Sequence, residues 1–121
     1  MIADTYFSKA DQALLTARRN LGEGDTAAAA NRAYYAMHAA MQAALSSRGA
    51  AQPRTHTGMI AVFSDLFVKP GLIPVALGRT VGRAFELRSM ADYGETAPTQ
   101  EEAEQALRGA EEFVRALRMV L

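Results

Sequence analysis

Apolar residues recur at helical spacing along most of the chain. Near the N-terminus they recur at intervals of three and four, which predicts an amphipathic helix over residues 3–21. Two glycines then favour a turn, and Asp25 is placed to cap a second helix that runs to about Arg48, where Gly49 ends it. This second helix carries alanine on every side, and a helix that is apolar nearly all round usually lies at the centre of its bundle. The stripe of the first helix comprises Phe7, Ala10, Leu14, Ala17 and Leu21.

Three further helical segments follow the second helix. A short third helix presents one apolar face between residues 59 and 67, and Lys69-Pro70-Gly71 predicts a turn after it. Pro74 suits the first turn of a fourth helix, which extends to about Asp92. Residues 94–98 are predicted to be a linker.

Thr99 and Glu102 have the spacing of a capping box, which predicts that the last helix begins after Thr99. No segment alternates apolar and polar residues with a period of two over the length of a strand. The pattern therefore predicts an all-α fold, an antiparallel up-and-down four-helix bundle with an additional short helix. The length of 121 residues fits a single domain over residues 1–121.

Composition and charge exclude several classes of protein. The absence of cysteine excludes a disulfide scaffold and a thiolate metal site. With 13 basic and 13 acidic residues the net charge is zero, so contact with RNA requires a local basic patch. No apolar run approaches the roughly 20 residues that span a bilayer, and the N-terminus lacks the pattern of a signal peptide. We expect a cytoplasmic protein with no membrane partner.

Polar side chains interrupt the apolar background in two clusters. The first lies in the middle of the second helix, and the second lies in the fourth helix. His56 stands between them at the start of the third helix. The residues of the two clusters that carry chemistry are Asn31, Arg32, Tyr34 and His38 in the first, and Arg79, Arg83, Arg88, Asp92 and Tyr93 in the second.

Arg88 and Asp92 are one turn apart on the face that also carries Leu77, Val81 and Ala84, so both charges point toward the core or its edge. An ion pair at this spacing is the simplest partner for each charge. One interpretation is a pair that holds the fourth helix against the second, joined by Arg32 or a tyrosine hydroxyl. The other is a polar pocket that recognises a phosphate or a base.

The two histidines and two other arginines each allow two interpretations. His38 is either a hydrogen-bonded core residue or a catalyst. His56 is either a helix cap or a group that holds an anion beside backbone N–H groups. Arg79 and Arg83 form either a phosphate-binding stripe or a solvated face. The histidines are far apart in sequence and no H-E-x-x-H is present, so we expect no metal site. Phosphate-binding glycine loops are also absent, and we expect no cofactor.

Several blocks of the sequence resemble the HEPN domain family. The second-helix string Asn31-Arg32-Ala33-Tyr34-Tyr35-Ala36-Met37 is similar to a signature that usually reads S-R-A-Y-Y-A-M-F in that family. The resemblance implies a bundle of four to five helices. The other matching blocks follow in the same order: residues 55–58 with Phe63, residues 67–72, residues 86–88 and residues 91–94.

The resemblance also implies a function. Small stand-alone HEPN proteins are typically encoded beside a minimal nucleotidyltransferase, with which they form toxin–antitoxin pairs. Many HEPN toxins are metal-independent ribonucleases whose signature is arginine, four to six residues, then histidine. Arg32 and His38 have five residues between them, which meets this spacing. Ala33 departs from the usual motif, which has a polar residue after the arginine, and His38 stands where this branch commonly has phenylalanine.

The leading hypothesis is therefore a metal-independent endoribonuclease toxin. Its catalytic residues would be His38 as general acid and base and Arg32 as the clamp on the phosphate. The alternative is a non-catalytic nucleotide-binding or adaptor subunit for a nucleotidyltransferase, and a third hypothesis is a purely structural helical module. The residues expected to bind the nucleotide or RNA are Asn31, Tyr34, His56, Arg79, Arg83, Arg88, Asp92 and Tyr93.

Helix geometry further predicts a homodimer. Arg32 and His38 lie about 120° apart around a straight helix and about 9 Å apart along it. Both cannot face one small pocket squarely unless the helix bends or a side chain reaches round. A two-fold interface would bring a second copy of each residue alongside, so we expect the active site at or near the contact between subunits. Known HEPN ribonucleases typically act as dimers, which the resemblance extends to this chain.

Overall fold

A computed structural model of the chain describes residues 2–94 and 96–121. These residues form five α-helices and, within the described ranges, no strand. The predicted all-α antiparallel bundle is therefore confirmed, with four long helices and one short one. Part of the predicted 94–98 linker, Glu95, lies outside the described residues. The helices are α1 (Ile2–Gly22), α2 (Thr26–Ser47), α3 (His56–Phe63), α4 (Val75–Tyr93) and α5 (Gln100–Val120).

The α2 helix lies at the centre of the bundle, as its composition predicts, and packs against every other helix. Its alanines carry a single methyl group, so neighbouring helices approach its backbone closely. Larger side chains of α2 fill the spaces between these contacts. The fully buried residues of α2 are Ala29, Ala30, Ala33, Tyr34, Ala36, Met37, Ala40, Met41, Ala43, Ala44 and Leu45.

Capping residues set the helix boundaries where the sequence places them. The Asp25 side chain accepts a hydrogen bond from the backbone N–H of Ala28 at 3.1 Å, which caps α2. Gly49 follows the end of α2 with φ of 65°, a conformation that favours glycine. The capping box of α5 is complete, because Thr99 and Glu102 each donate a backbone N–H to the other's side chain at 2.8 and 3.1 Å.

The third segment differs from the single short helix that the sequence predicts. The α3 helix ends at Phe63 and continues as one π-helical turn over Ser64–Val68. In this turn the backbone N–H of Lys69 donates to the carbonyl of Ser64 at 2.9 Å. The wider turn stacks the rings of Phe63 and Phe67, with centroids 5.2 Å apart, in the core. The α3 helix, which begins at His56, packs against α2.

Two exposed ion pairs join α1 to α5. Arg118 donates to both carboxylate oxygens of Asp11, at 2.9 and 2.6 Å. Arg18 pairs with Glu111 of α5 at 2.8 Å. Exposed pairs of this kind each contribute little to stability, and the bidentate one mainly adds orientation. Among the described residues, no helix has the length and apolar character needed to cross a membrane.

Candidate functional site

Arg32, Tyr35 and His38 line one open groove of about 480 Å³ between α1 and α2, named here the α1–α2 groove. Its other lining residues are Thr5, Ser8, Lys9, Gln12, Ala13, Thr16, Ala39 and Gln42. Residues three apart on a helix differ by about 60° in direction, so Tyr35 lies between Arg32 and His38. The two predicted catalytic residues therefore flank one ring.

The position of Arg32 and His38 in one groove removes the geometric reason for a composite site between subunits. We expected that Arg32 and His38 could not share a small pocket on one chain. The structure brings both to the α1–α2 groove of a single chain, because the groove is centred on Tyr35 and extends to either side of it. Helix geometry therefore no longer requires a second subunit. The homodimer itself stays a prediction.

A cluster of rings lies behind the groove, where α2 meets α3 and α4. It comprises Tyr34, Tyr35, His38, His56 and Phe85, named here the ring cluster. The imidazoles of His38 and His56 pack edge to face with centroids 5.0 Å apart. Tyr35 contacts both of them, with centroid distances of 6.0 and 5.8 Å. The fold thus pairs two histidines that are far apart in sequence.

Burial in this cluster changes the acid–base behaviour of His38. Loss of solvent, and secondarily the neighbouring His56, lower the pKa of His38 from 6.5 to about 4. The ring is therefore neutral at neutral pH in the free protein. Its Nδ1 atom is buried and has no hydrogen-bond partner among the described residues. Among the described residues, this nitrogen therefore lacks the partner that the core-residue interpretation expects.

His56 is held by Tyr34 and does not cap a helix. The cap of α3 is Thr55, whose hydroxyl accepts from the backbone N–H of Gly58 at 2.9 Å, so the predicted capping role of His56 is wrong. His56 Nδ1 instead lies 2.8 Å from the Tyr34 hydroxyl and shares a hydrogen bond with it. Burial, and to a lesser degree nearby Arg88, lower the pKa of His56.

Tyr34 lies beneath the site and not on its surface. Its side chain is fully buried, and burial raises the pKa of its hydroxyl to about 12. The hydroxyl therefore keeps its proton throughout the physiological range. When it donates this proton to Nδ1 of a neutral His56, the imidazole carries its own proton on Nε2. Tyr34, predicted as a ligand contact, is placed where it can only orient His56.

Arg32 is oriented by the residues beside it. Its Nε and Nη2 atoms donate to the side-chain oxygen of Asn31 at 3.0 and 2.9 Å. The guanidinium carbon lies 4.9 Å from the centre of the Tyr35 ring, a cation–π contact. Asn31, also predicted as a ligand contact, thus holds the guanidinium at the edge of the groove.

Arg88 and Asp92 form the predicted ion pair. Arg88 Nε lies 2.9 Å from a carboxylate oxygen of Asp92, although the N–H is not aligned with that oxygen as in a hydrogen bond. The side chains are 13% and 30% exposed, so the pair is partly buried as expected. Arg88 Nη2 also donates to the Tyr35 hydroxyl at 3.3 Å, which supplies the predicted tyrosine partner. The pair joins α4 to the central ring of the site.

Three predicted binding residues lie apart from this cluster. Arg79 and Arg83 are exposed and border two different grooves, one beside α3 and one between α4 and α5. Neither of them lines the α1–α2 groove. Tyr93 is the last residue of α4 and is 83% exposed. Across residues 2–94 and 96–121, no three His, Cys, Asp or Glu side chains cluster as metal ligands would.

The sequence interpretation missed the wall of the groove that α1 provides. Thr5, Lys9, Gln12 and Thr16 follow one another at intervals of four, three and four, and all of them line the α1–α2 groove. This spacing is the signal that could have revealed the wall, because it marks one face of a helix. The signal is weak, since most amphipathic helices carry a polar face.

Comparison with known proteins agrees with this fold. The profile of the HEPN domain matches residues 3–120. The chain belongs to the HEPN domain family. The second-helix signature of this HEPN protein lies on α2, where Arg32, Tyr35 and His38 line the α1–α2 groove.

Three relatives of known sequence are similar to this HEPN protein. The "Putative toxin MJ0605" of Methanocaldococcus jannaschii is 38% identical over 90 residues, which are 74% of this chain and 66% of the relative. A "UPF0332 protein" of Thermotoga maritima is 36% identical, over 77% of this chain and 70% of the relative. "Putative toxin MJ0142" of M. jannaschii is 30% identical, over 77% and 63%. The chain thus spans about two thirds of the length of these relatives.

The Arg88–Asp92 pair yields a prediction about stability. Arg88→Ala leaves the Asp92 carboxylate and the Tyr35 hydroxyl without their partner, so we expect a loss of about 2–3 kcal/mol. This is below the roughly 3–5 kcal/mol of a fully buried pair, because water reaches Asp92. Arg83→Ala, on the same helix but exposed, is the matched control and should change stability by less than about 0.5 kcal/mol. Urea unfolding measures both, and equal effects would contradict the structural role of Arg88.

The lowered pKa of His38 yields a prediction about pH. In the unfolded chain the imidazole binds a proton near pH 6.5, whereas in the folded chain it does so only near pH 4. The folded state is therefore favoured above pH 6.5, and this contribution is lost as the pH falls toward 4. We expect this contribution to the free energy of unfolding to be about 2 kcal/mol. It is less than the full pKa shift implies, because the ring is partly solvated.

His38→Phe tests this prediction because phenylalanine cannot be protonated. The melting temperature of the wild type should fall between pH 6.5 and 4, and that of His38→Phe should fall less. His56 keeps its own lowered pKa, so some slope remains in the variant. Parallel curves for the two proteins would show that His38 is not held neutral by the fold.

Proposed function

We propose that this HEPN protein is the toxin of a toxin–antitoxin pair and an endoribonuclease that needs no metal ion. The observation that carries the proposal is the position of Arg32 and His38 on either side of Tyr35 in one open groove. Two relatives bear the name "Putative toxin", which supports the toxin role. The expected antitoxin is a nucleotidyltransferase.

The two side chains suit the cleavage of RNA by its own 2′-hydroxyl. A neutral His38 can take the proton of this hydroxyl as its oxygen attacks the adjacent phosphorus. The guanidinium of Arg32 can stabilise the negative charge that develops on the phosphate oxygens. The bond to the 5′-oxygen then breaks, and the protonated imidazole returns a proton to that oxygen. The products are a 2′,3′-cyclic phosphate and a 5′-hydroxyl.

The environment of His38 couples its basicity to the substrate. In the free protein its pKa of about 4 leaves it neutral but weakly basic. A bound phosphate brings negative charge into the groove, and a nearby opposite charge favours the protonated form of an imidazole. The substrate would thereby raise the pKa of His38 toward the range where it can both take and return a proton.

Cleavage of RNA in EDTA tests the proposal. The wild type should cleave a single-stranded RNA and leave cyclic phosphate ends, whereas His38→Ala and Arg32→Ala should each be slowed at least about 100-fold. Arg83→Ala is the control, because Arg83 is exposed and lies outside the α1–α2 groove. Equal cleavage by the wild type and His38→Ala would refute the assignment.

A specific observation favours the alternative function, a non-catalytic nucleotide-binding or adaptor subunit. Arg32 is already bonded to Asn31 and stacked on Tyr35, and His38 is enclosed by other rings. A site of this kind could recognise a nucleotide without transferring a proton. Tight nucleotide binding with no turnover of RNA in the same assay would select this function.

A further inference from the structure

The wall of the α1–α2 groove opposite Arg32 and His38 has no assigned role. It is formed by one face of α1, with Gln42 of α2 completing the lining at the far end. Its side chains are hydroxyls, amides and one ammonium group, which donate and accept hydrogen bonds without adding negative charge. The polar residues that α1 contributes are Thr5, Ser8, Lys9, Gln12 and Thr16.

The charge of this groove differs from that of the whole molecule. The chain has 13 basic and 13 acidic residues, yet the groove is lined by Lys9 and Arg32 and, among the described residues, by no carboxylate. The groove between α4 and α5 provides a comparison, since Glu86 and Glu102 line it together with Arg83. Of these two grooves, the α1–α2 groove therefore suits a polyanion better.

The shape of the groove suits a strand rather than a compact ligand. The polar face of α1 extends from Thr5 to Thr16, which is about 16 Å along a helix. The groove is open to solvent, so an extended chain can lie along this face of α1. Lys9 is exposed, with its ammonium 5.6 Å from the Tyr6 ring. The bidentate pair of Asp11 with Arg118 joins this part of α1 to α5.

We propose that the α1 wall binds the single-stranded RNA on which Arg32 and His38 act. Lys9 contacts a phosphate next along the strand from the one held by Arg32, and Gln12 hydrogen-bonds the nucleotide between them. This inference rests on the proposed function, because that function supplies the RNA. To that function it adds a second positively charged contact, from Lys9, and an orientation of the RNA strand parallel to α1.

A strand that cannot be cleaved separates binding from catalysis. The probe is a fluorescently labelled, fully 2′-O-methylated oligoribonucleotide, and its anisotropy is measured with the full chain in EDTA at several salt concentrations. Lys9→Ala should weaken binding about five- to tenfold and reduce the slope of log K against log salt by about 0.7, the value for one phosphate contact on a single strand. Lys9→Glu should weaken it further, and Gln12→Ala should weaken it without changing the slope.

Lys69→Ala is the matched control. Lys69 is exposed, pairs only with Asp65 at 2.7 Å among the described residues, and lies in the turn after α3, outside the groove. Circular dichroism confirms that each variant is folded. Equal loss from Lys69→Ala and Lys9→Ala, or unchanged binding by Lys9→Glu, would overturn the proposal. So would binding of a free mononucleotide as tight as that of the strand.

The outcomes also separate this inference from the ribonuclease proposal. Weaker binding by Lys9→Ala with no cleavage of ordinary RNA by the wild type would retain the α1 wall and refute the ribonuclease. Normal cleavage together with normal binding by Lys9→Glu would retain the ribonuclease and refute the α1 wall.

Discussion

The close packing of neighbouring helices on the alanine methyl groups of α2 is the constraint on which the rest of the structure depends. Alanine occupies most of the buried positions of this helix, and each methyl group allows another backbone to come near. Because α2 contacts every other helix, these contacts fix its rotation about its own axis. The face of α2 with Arg32, Tyr35 and His38 is only partly buried. A tightly held central helix thus presents this face in one orientation.

Local signals in the sequence predict the helices. The features they do not predict depend on which residues of different helices come into contact. Asp25, Gly49, Thr99 and Glu102 set helix ends through contacts within a few residues, so their roles can be read from the sequence. The π-helical turn after Phe63 is not predicted, and it accompanies the stacking of Phe63 on Phe67 in the core. No local pattern contains that information.

The candidate site likewise combines contacts within one helix, which the sequence predicts, and contacts between helices, which it does not. The pair of Arg88 with Asp92 is one turn long and follows from spacing, and even its tyrosine partner was expected. The approach of His38 to His56 joins two helices, and the hydrogen bond from Tyr34 makes His56 part of the same cluster. Such contacts depend on how the helices rotate against one another. Angles on a single helix give the wrong expectation for Arg32 and His38, because a groove centred on a third residue can include both.

We propose that the fold holds His38 neutral in a groove that receives an RNA phosphate. Nuclear magnetic resonance titration of the two imidazole rings tests it most directly, with and without the 2′-O-methylated strand. The account predicts a midpoint for His38 near pH 4 in the free protein and a higher midpoint when the strand is bound. A midpoint near the ordinary value of about 6.5 that does not respond to the strand would contradict the account.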